Sequence, residues 1–254
     1  MPASFALGLI AGCGGRSTTT AGQPAQPAAP DPSPAATPSN IPANAITIPD
    51  IQKQAGWQSC TACTGSARAI YSLKEGISSP SLSGSSAQFS LLPGTRPFAG
   101  ALWFKFLTSD ANATHFVYDL SFYTDNPSAP QALEFNVSQS TGGKRYNLAT
   151  QCDLSNQRAW LMWSPQKGWV SSGVPCVQPP PNTWNHLVWE FERDSSGHAI
   201  FTAVTMNGNR SPLNISMPAM PDSSEGIDIA FQLDADRTAV PYSVWLDNVK
   251  LSYW

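Results

Sequence analysis

The segment Trp184-Asn185-His186-Leu187-Val188-Trp189-Glu190-Phe191-Glu192-Arg193 alternates. Leu187, Trp189 and Phe191 fall on one side of a two-residue period. His186, Val188, Glu190 and Glu192 fall on the other, the pattern of a strand with one face in a core. Asp194-Ser195-Ser196-Gly197 then supplies turn residues, and His198–Met206 reads as a second strand. Asn207-Gly208 closes that strand with the pair that favours a type I′ hairpin, because both residues accept positive φ.

The same punctuation recurs on either side. Ala101–Thr108, His115–Tyr123, Ala132–Gln139, Lys144–Thr150, Ala159–Ser164, Gly226–Leu233 and Ser243–Tyr253 are rich in β-branched and aromatic residues and bounded by Gly, Pro, Asn, Asp and Ser. Gly142-Gly143 is expected to turn a further hairpin. No amphipathic helical period occurs from residue 46 onward, so residues 46–254 are expected to form one all-β domain, a two-sheet antiparallel sandwich.

Composition narrows the class of function. The chain has 14 Lys+Arg against 17 Asp+Glu, a formal net charge of −3, and no basic cluster larger than Lys144-Arg145. Nucleic acid is excluded as a partner, since phosphate binding needs concentrated positive charge. Charged residues are 12% of the chain, against ~25% in ordinary soluble proteins. With nine Trp and 23 Pro, this points to an exported β-protein. No apolar run reaches the ~20 residues that span a bilayer.

Before residue 46 the sequence changes character. Phe5–Ala11 is a short apolar run leading into Ile10-Ala11-Gly12-Cys13, which resembles the lipobox of bacterial lipoprotein signal peptides. That resemblance implies lipidation at Cys13, a signal segment over 1–13 and a lipid anchor at the bacterial cell surface or periplasm. Met1-Pro2-Ala3-Ser4 carries no positive charge, unlike a signal n-region. Without export, the stretch would be a tail with a free thiol. Residues 14–45 are rich in Pro, Ala, Thr and Ser, bury too little apolar surface to fold, and read as a disordered linker reaching up to about 100 Å. Cys60, Cys63, Cys152 and Cys176 form an even set suited to an oxidising compartment. Three pairings exist; Cys60–Cys63 with Cys152–Cys176 is the one expected. Zinc lacks a ligand set, because no second C-x-x-C accompanies the first and the histidines are scattered.

The order W-x-H at Trp184–His186, D-x-x-G at Asp194–Gly197, N-G at Asn207-Gly208 and D-N-V-x-L at Asp247–Leu251 resembles the concanavalin A-like lectin/glucanase superfamily, especially its laminin-G-like branch. The detailed match runs from Trp184 to Trp254. It implies a jelly roll whose concave sheet carries a sugar-binding groove, with His186 structural. The superfamily includes lectins, glycosidases and lyases, so the likeness leaves activity open. Laminin-G-like domains sometimes bind calcium, which brings in Asp234, Asp236 and Asp247, yet Leu233-Asp234-Ala235-Asp236 falls short of a six- to eight-oxygen set. No metal or cofactor is expected.

Several residues carry candidate chemistry. On Ala132–Val137 the apolar Leu133, Phe135 and Val137 face inward, leaving Glu134 and Asn136 outward. If this strand and that of Glu190 share the concave sheet, Glu134 and Glu190 form the acid and nucleophile or base of a glycoside hydrolase. Glucanases of the superfamily often carry Glu-x-Asp-x-x-Glu, whereas Asn136 and Ser138 follow Glu134 here. A lyase would draw on His115, His186, Tyr146, Lys144, Arg145 or Arg158, but no lyase motif is present. Trp160, Trp163 and Trp169 offer flat faces for sugar stacking, with Asn136, Gln151 and Glu134 as a polar rim. Trp160 and Trp163 face opposite ways on a strand, so one of them belongs to the core. Trp103, Trp184, Trp189 and Trp245 are expected in the core. The favoured reading is a monomeric, lipid-anchored carbohydrate-binding domain that grips a polysaccharide or oligosaccharide without turnover. The alternatives are a glycosidase using Glu134 and Glu190, and a structural or adhesive surface protein that binds another protein.

Overall fold

The computed structural model of the chain describes residues 41–64 and 68–254. Cys13, the rest of the expected signal segment, and residues 14–40 of the expected linker lie outside the described residues.

The described residues form sixteen strands. They are β1 (Ile46–Ile48), β2 (Gln58–Cys60), β3 (Tyr71–Ile77), β4 (Ser86–Leu91), β5 (Gly100–Thr108), β6 (His115–Thr124), β7 (Pro130–Thr141) and β8 (Lys144–Asp153). The rest are β9 (Ala159–Ser164), β10 (Gly168–Pro175), β11 (Trp184–Arg193), β12 (His198–Met206), β13 (Asn209–Pro218), β14 (Met220–Pro221), β15 (Gly226–Ala235) and β16 (Tyr242–Tyr253). Every strand expected from the alternation is present. Asn207 and Gly208 both take positive φ, and Met206 pairs with Asn209 around them, the two-residue hairpin the sequence called for.

Two antiparallel eight-stranded sheets pack face to face. The first runs β13-β12-β11-β6-β16-β4-β3, with β1 alongside β16; the second runs β10-β9-β8-β7-β15-β5-β2, with β14 alongside β8. The chain changes sheet repeatedly, so neighbours are remote in sequence; β15, for instance, lies between β7 and β5. This is the two-sheet jelly-roll sandwich expected. Among the described residues, no helix is long and apolar enough to cross a membrane.

The core is an aromatic seam between the sheets. Phe89 of β4 meets Trp103 at 5.1 Å and Phe231 at 5.0 Å. Phe231 meets Phe135 at 5.3 Å, and Trp160 meets Trp189 edge-on at 5.3 Å. Edge-to-face contacts of this kind add ~0.5–1.5 kcal/mol each beyond their area. Trp184 and Trp245 depart from expectation. Both are half-buried on the outer side of the first sheet, where they flank Tyr123, each at 5.5 Å, in one cross-strand row.

Asp247 organises one end of the first sheet. Its carboxylate accepts hydrogen bonds from Ser81 Oγ (2.6 Å), Ser83 Oγ (2.6 Å), the backbone N–H of Leu82 (2.6 Å) and Ser83 (3.0 Å), and Gln52 Nε2 (3.0 Å). Burial alone would raise its pKa; these donors outweigh burial and lower it. The D-N-V-x-L motif is therefore a loop anchor.

Candidate functional site

The outer face of the second sheet holds a cleft of about 680 Å3. The two-residue period that sends Leu133, Phe135 and Val137 inward turns Glu134, Asn136 and Ser138 outward. Hydrogen-bonded register then lines them up with their neighbours. Phe106, Asp228, Ser138 and Asn147 form one cross-strand row; Phe104, Ala230, Asn136 and Ala149 form the next; Leu102, Gln232, Glu134 and Gln151 form the third. Ala230 and Ala149 lower the middle of the floor. Phe104 and Phe106 raise one wall, and Phe106 is 57% exposed. Trp163 of β9 and Trp169 of β10 raise the other, paired in register with rings 5.4 Å apart.

The structure therefore brings Glu134, Asn136, Trp163 and Trp169 to one cleft and sets Gln151 beside Glu134 in the third row. Trp160 is a correction: it points inward, is 2% exposed, and packs on Trp189. The pairing of Glu134 with Glu190 is a second correction, since β7 and β11 belong to different sheets. Glu190 accepts from Arg210 Nε (2.8 Å) and Nη2 (2.9 Å), beside a separate hollow of about 380 Å3 that Glu192, His115 and Trp254 share. Of the cations and acids considered for a lyase, Arg145 lines the cleft. His115 stacks on Trp254, His186 Nε2 pairs with Asp119 at 2.8 Å on the first sheet, and Tyr146 is buried under Arg193.

Sequence reasoning raised Asp234 for calcium alone; the structure makes it the neighbour of Glu134. Asp234 lies two places after Gln232 on β15, hence diagonal to Glu134. Gln232 Nε2 donates to Glu134 Oε1 (2.8 Å) and to both oxygens of Asp234 (2.9 and 3.1 Å). Asn136 Nδ2 donates to Glu134 Oε2 (3.2 Å), oriented by the Thr150 N–H, which donates to Asn136 Oδ1 (2.9 Å). Burial, then the neighbouring Asp234, holds the Glu134 carboxyl well above the usual carboxylate range. Burial pushes Asp234 up to about 7. Gly100 makes room, since a side chain there would collide with Asp234 Oδ1. The alternation of Asp228, Ala230, Gln232 and Asp234 on β15 was the available signal. At the far end, Arg145 pairs with Asp228 (3.0 Å) and lies 4.0 Å from Asp222.

Both expected disulfides form, Cys60–Cys63 and Cys152–Cys176. Cys63 lines one end of the cleft, and Cys152–Cys176 spans the β9–β10 hairpin that carries Trp163 and Trp169. Of the acids considered for calcium, Asp234 faces Glu134, Asp236 accepts from the N–H groups of Thr238 (2.7 Å) and Ala239 (3.0 Å), and Asp247 anchors its loop. Among the described residues, no group of three or more His, Cys, Asp or Glu is placed to hold a metal ion.

No family model matches the sequence, and no curated protein matches it. Among solved structures, the chain is similar to the conserved carbohydrate esterase of Shiga toxin-encoding bacteriophage phi24B, at 12% identity and a TM-score of 0.49, covering 82% of this chain and 99% of that one. It is also similar to an alginate lyase in complex with alginate trisaccharide, at 12% identity and a TM-score of 0.44, covering 77% and 97%. A third likeness is to the Emp47p carbohydrate recognition domain, at 12% identity and a TM-score of 0.45, covering 82% and 94%.

Proposed function

We propose that the protein is an exported, surface-anchored carbohydrate-binding domain, acting as a monomer and seating an oligosaccharide or polysaccharide chain in the cleft of the second sheet without turning it over. One observation carries this reading: the Trp163–Trp169 wall faces a floor of outward amides and a carboxyl, Asn136, Gln232 and Glu134, with Gln151 paired beside Glu134. A sugar ring offers apolar C–H faces to such a wall and hydroxyls to such a floor. The two disulfides fit an oxidising compartment, and the lipobox resemblance makes Cys13 the anchor.

The raised carboxyls of Glu134 and Asp234 favour a second reading, glycoside hydrolysis, with Asp234 in the place first given to Glu190. One experiment separates the two. The protein is incubated with a polysaccharide panel while retention, new reducing ends and unsaturated products are followed together. Retention without new chain ends is expected, with Trp163→Ala lowering affinity about tenfold through lost stacking. New chain ends that disappear in Glu134→Gln would replace binding with hydrolysis. Retention unaltered by Trp163→Ala would remove the cleft from the account.

A further inference from the structure

Glu134 and Asp234 are held by neutral amides and by a hydrogen bond to each other. The amide donors on their oxygens are Gln232 Nε2 and Asn136 Nδ2. Among the described residues, no lysine, arginine or histidine forms an ion pair with either acid. Arg145, the cation that lines the cleft, is committed to Asp228 at the opposite end. Two adjacent, largely desolvated carboxyls without a counter-charge are unfavourable, and proteins ordinarily pair such groups.

A third group points the same way. Gln151 is the direct cross-strand partner of Glu134 on the same face, and it is 6% exposed. Its Oε1 is buried and accepts no hydrogen bond. Buried acceptors are nearly always satisfied. So two carboxyls and an unsatisfied amide oxygen lie on one face of the sheet around Glu134, which lines the cleft, and each offers an acceptor oxygen.

We infer that this end of the cleft binds a primary ammonium group, so that the saccharide it takes carries a free amino sugar, a hexosamine without its acyl cap. This rests on the carbohydrate reading of the cleft. An ammonium has three N–H donors and no acceptor, matching one bond each to Glu134, Asp234 and Gln151 Oε1. Its charge offsets one carboxylate while the other acid keeps its proton, and charge-assisted bonds of this kind are about twice as strong as neutral ones. A hydroxyl at the same place brings one donor and no charge. An N-acetyl group brings one donor, no charge, and extra volume.

The test is isothermal titration of the protein with three oligosaccharides of equal length: β-1,4-linked glucosamine, its fully N-acetylated form, and the β-1,4-glucose chain. Oligolysine of equal charge serves as the control. The amino form should bind about tenfold or more tightly than the other two, the worth of a charge-assisted bond. Asp234→Asn and Glu134→Gln should each erase that preference, read as the ratio of amino-chain to neutral-chain affinity within each variant. Both substitutions relieve repulsion, and circular dichroism checks that they fold. If the three chains bind alike, the ammonium site is refuted and the carbohydrate reading stands. If oligolysine binds as well as the amino sugar, general charge attraction explains the preference and the site is refuted. If no chain binds, both the site and the carbohydrate reading fall.

Discussion

Replacing Asp234 with Asn should make the protein more stable at pH 8 and flatten its stability between about pH 4 and 8. The sign follows from linkage. Burial raises the folded-state pKa of Asp234 from 3.8 to about 7. As pH rises through the unfolded value, the unfolded chain ionises while the folded protein keeps its proton. The contribution of Asp234 therefore declines from about pH 4 and levels off above about pH 7, the reverse of an ordinary paired carboxylate. Between these two values, at about 1.36 kcal/mol per pH unit, the loss comes to about 4 kcal/mol at full ionisation. Asn keeps an acceptor for Gln232 Nε2 and never ionises, and it relieves Glu134, whose own shift draws in part on Asp234. For a domain of this size, about 4 kcal/mol corresponds to roughly 10 °C in Tm. Urea unfolding followed by Trp fluorescence at about pH 4, 6 and 8 is the assay. The reasoning is refuted if the wild-type profile is flat across that range, or if Asp234→Asn is no more stable than wild type at pH 8. Asp194 and Asp222, each lowered to about 2 by hydrogen bonds to neighbouring backbone N–H groups and side chains, act below this window.

Cys152→Ser with Cys176→Ser opens a loop with sequence separation 24 and should cost about 3.5 kcal/mol by the chain-entropy relation, read as a lower urea midpoint. Asp247→Ala strands the donors of Ser81, Leu82, Ser83 and Gln52, so a loss of about 3 kcal/mol or more is expected in the same assay. Because hydrogen bonding depresses the Asp247 pKa, its stabilisation is present above the unfolded value and fades as pH falls through the folded one. Glu190→Gln breaks an exposed bidentate pair with Arg210 on the other sheet, so it should change stability by under about 1 kcal/mol and leave glycan retention unchanged.

Local pattern carried much of this structure. The strands with strict alternation, β7 and β11 above all, were readable because inward Leu133, Phe135, Val137 and Leu187, Trp189, Phe191 leave no doubt about the period. The Asn207-Gly208 hairpin and the disulfide pairing were readable for equally local reasons. The strands that escaped have weak patterns. β10 is Gly168–Pro175, with Ser and Gly where β-branched residues would usually stand, and β13 includes Pro212. Sheet membership was not readable, because it rests on pairings between distant segments, such as β15 with β5 and β7. That is why Glu134 was matched with Glu190 and not with Asp234, and why Trp184 and Trp245, judged by size alone, were assigned to the core.

The strict alternation along β7 and β15 has a consequence for change over time. Substitutions at Glu134, Asn136, Ser138, Ala230, Gln232 and Asp234 alter what the cleft recognises while Leu133, Phe135, Val137, Ile229, Phe231 and Leu233 keep the two sheets together. The outward set and the core set thus lie on separate, interleaved codons. Under the proposed function, a lineage with this scaffold can change what the cleft takes by single steps that leave the core between the sheets intact, and a library randomised at the outward positions alone should retain a high fraction of folded members.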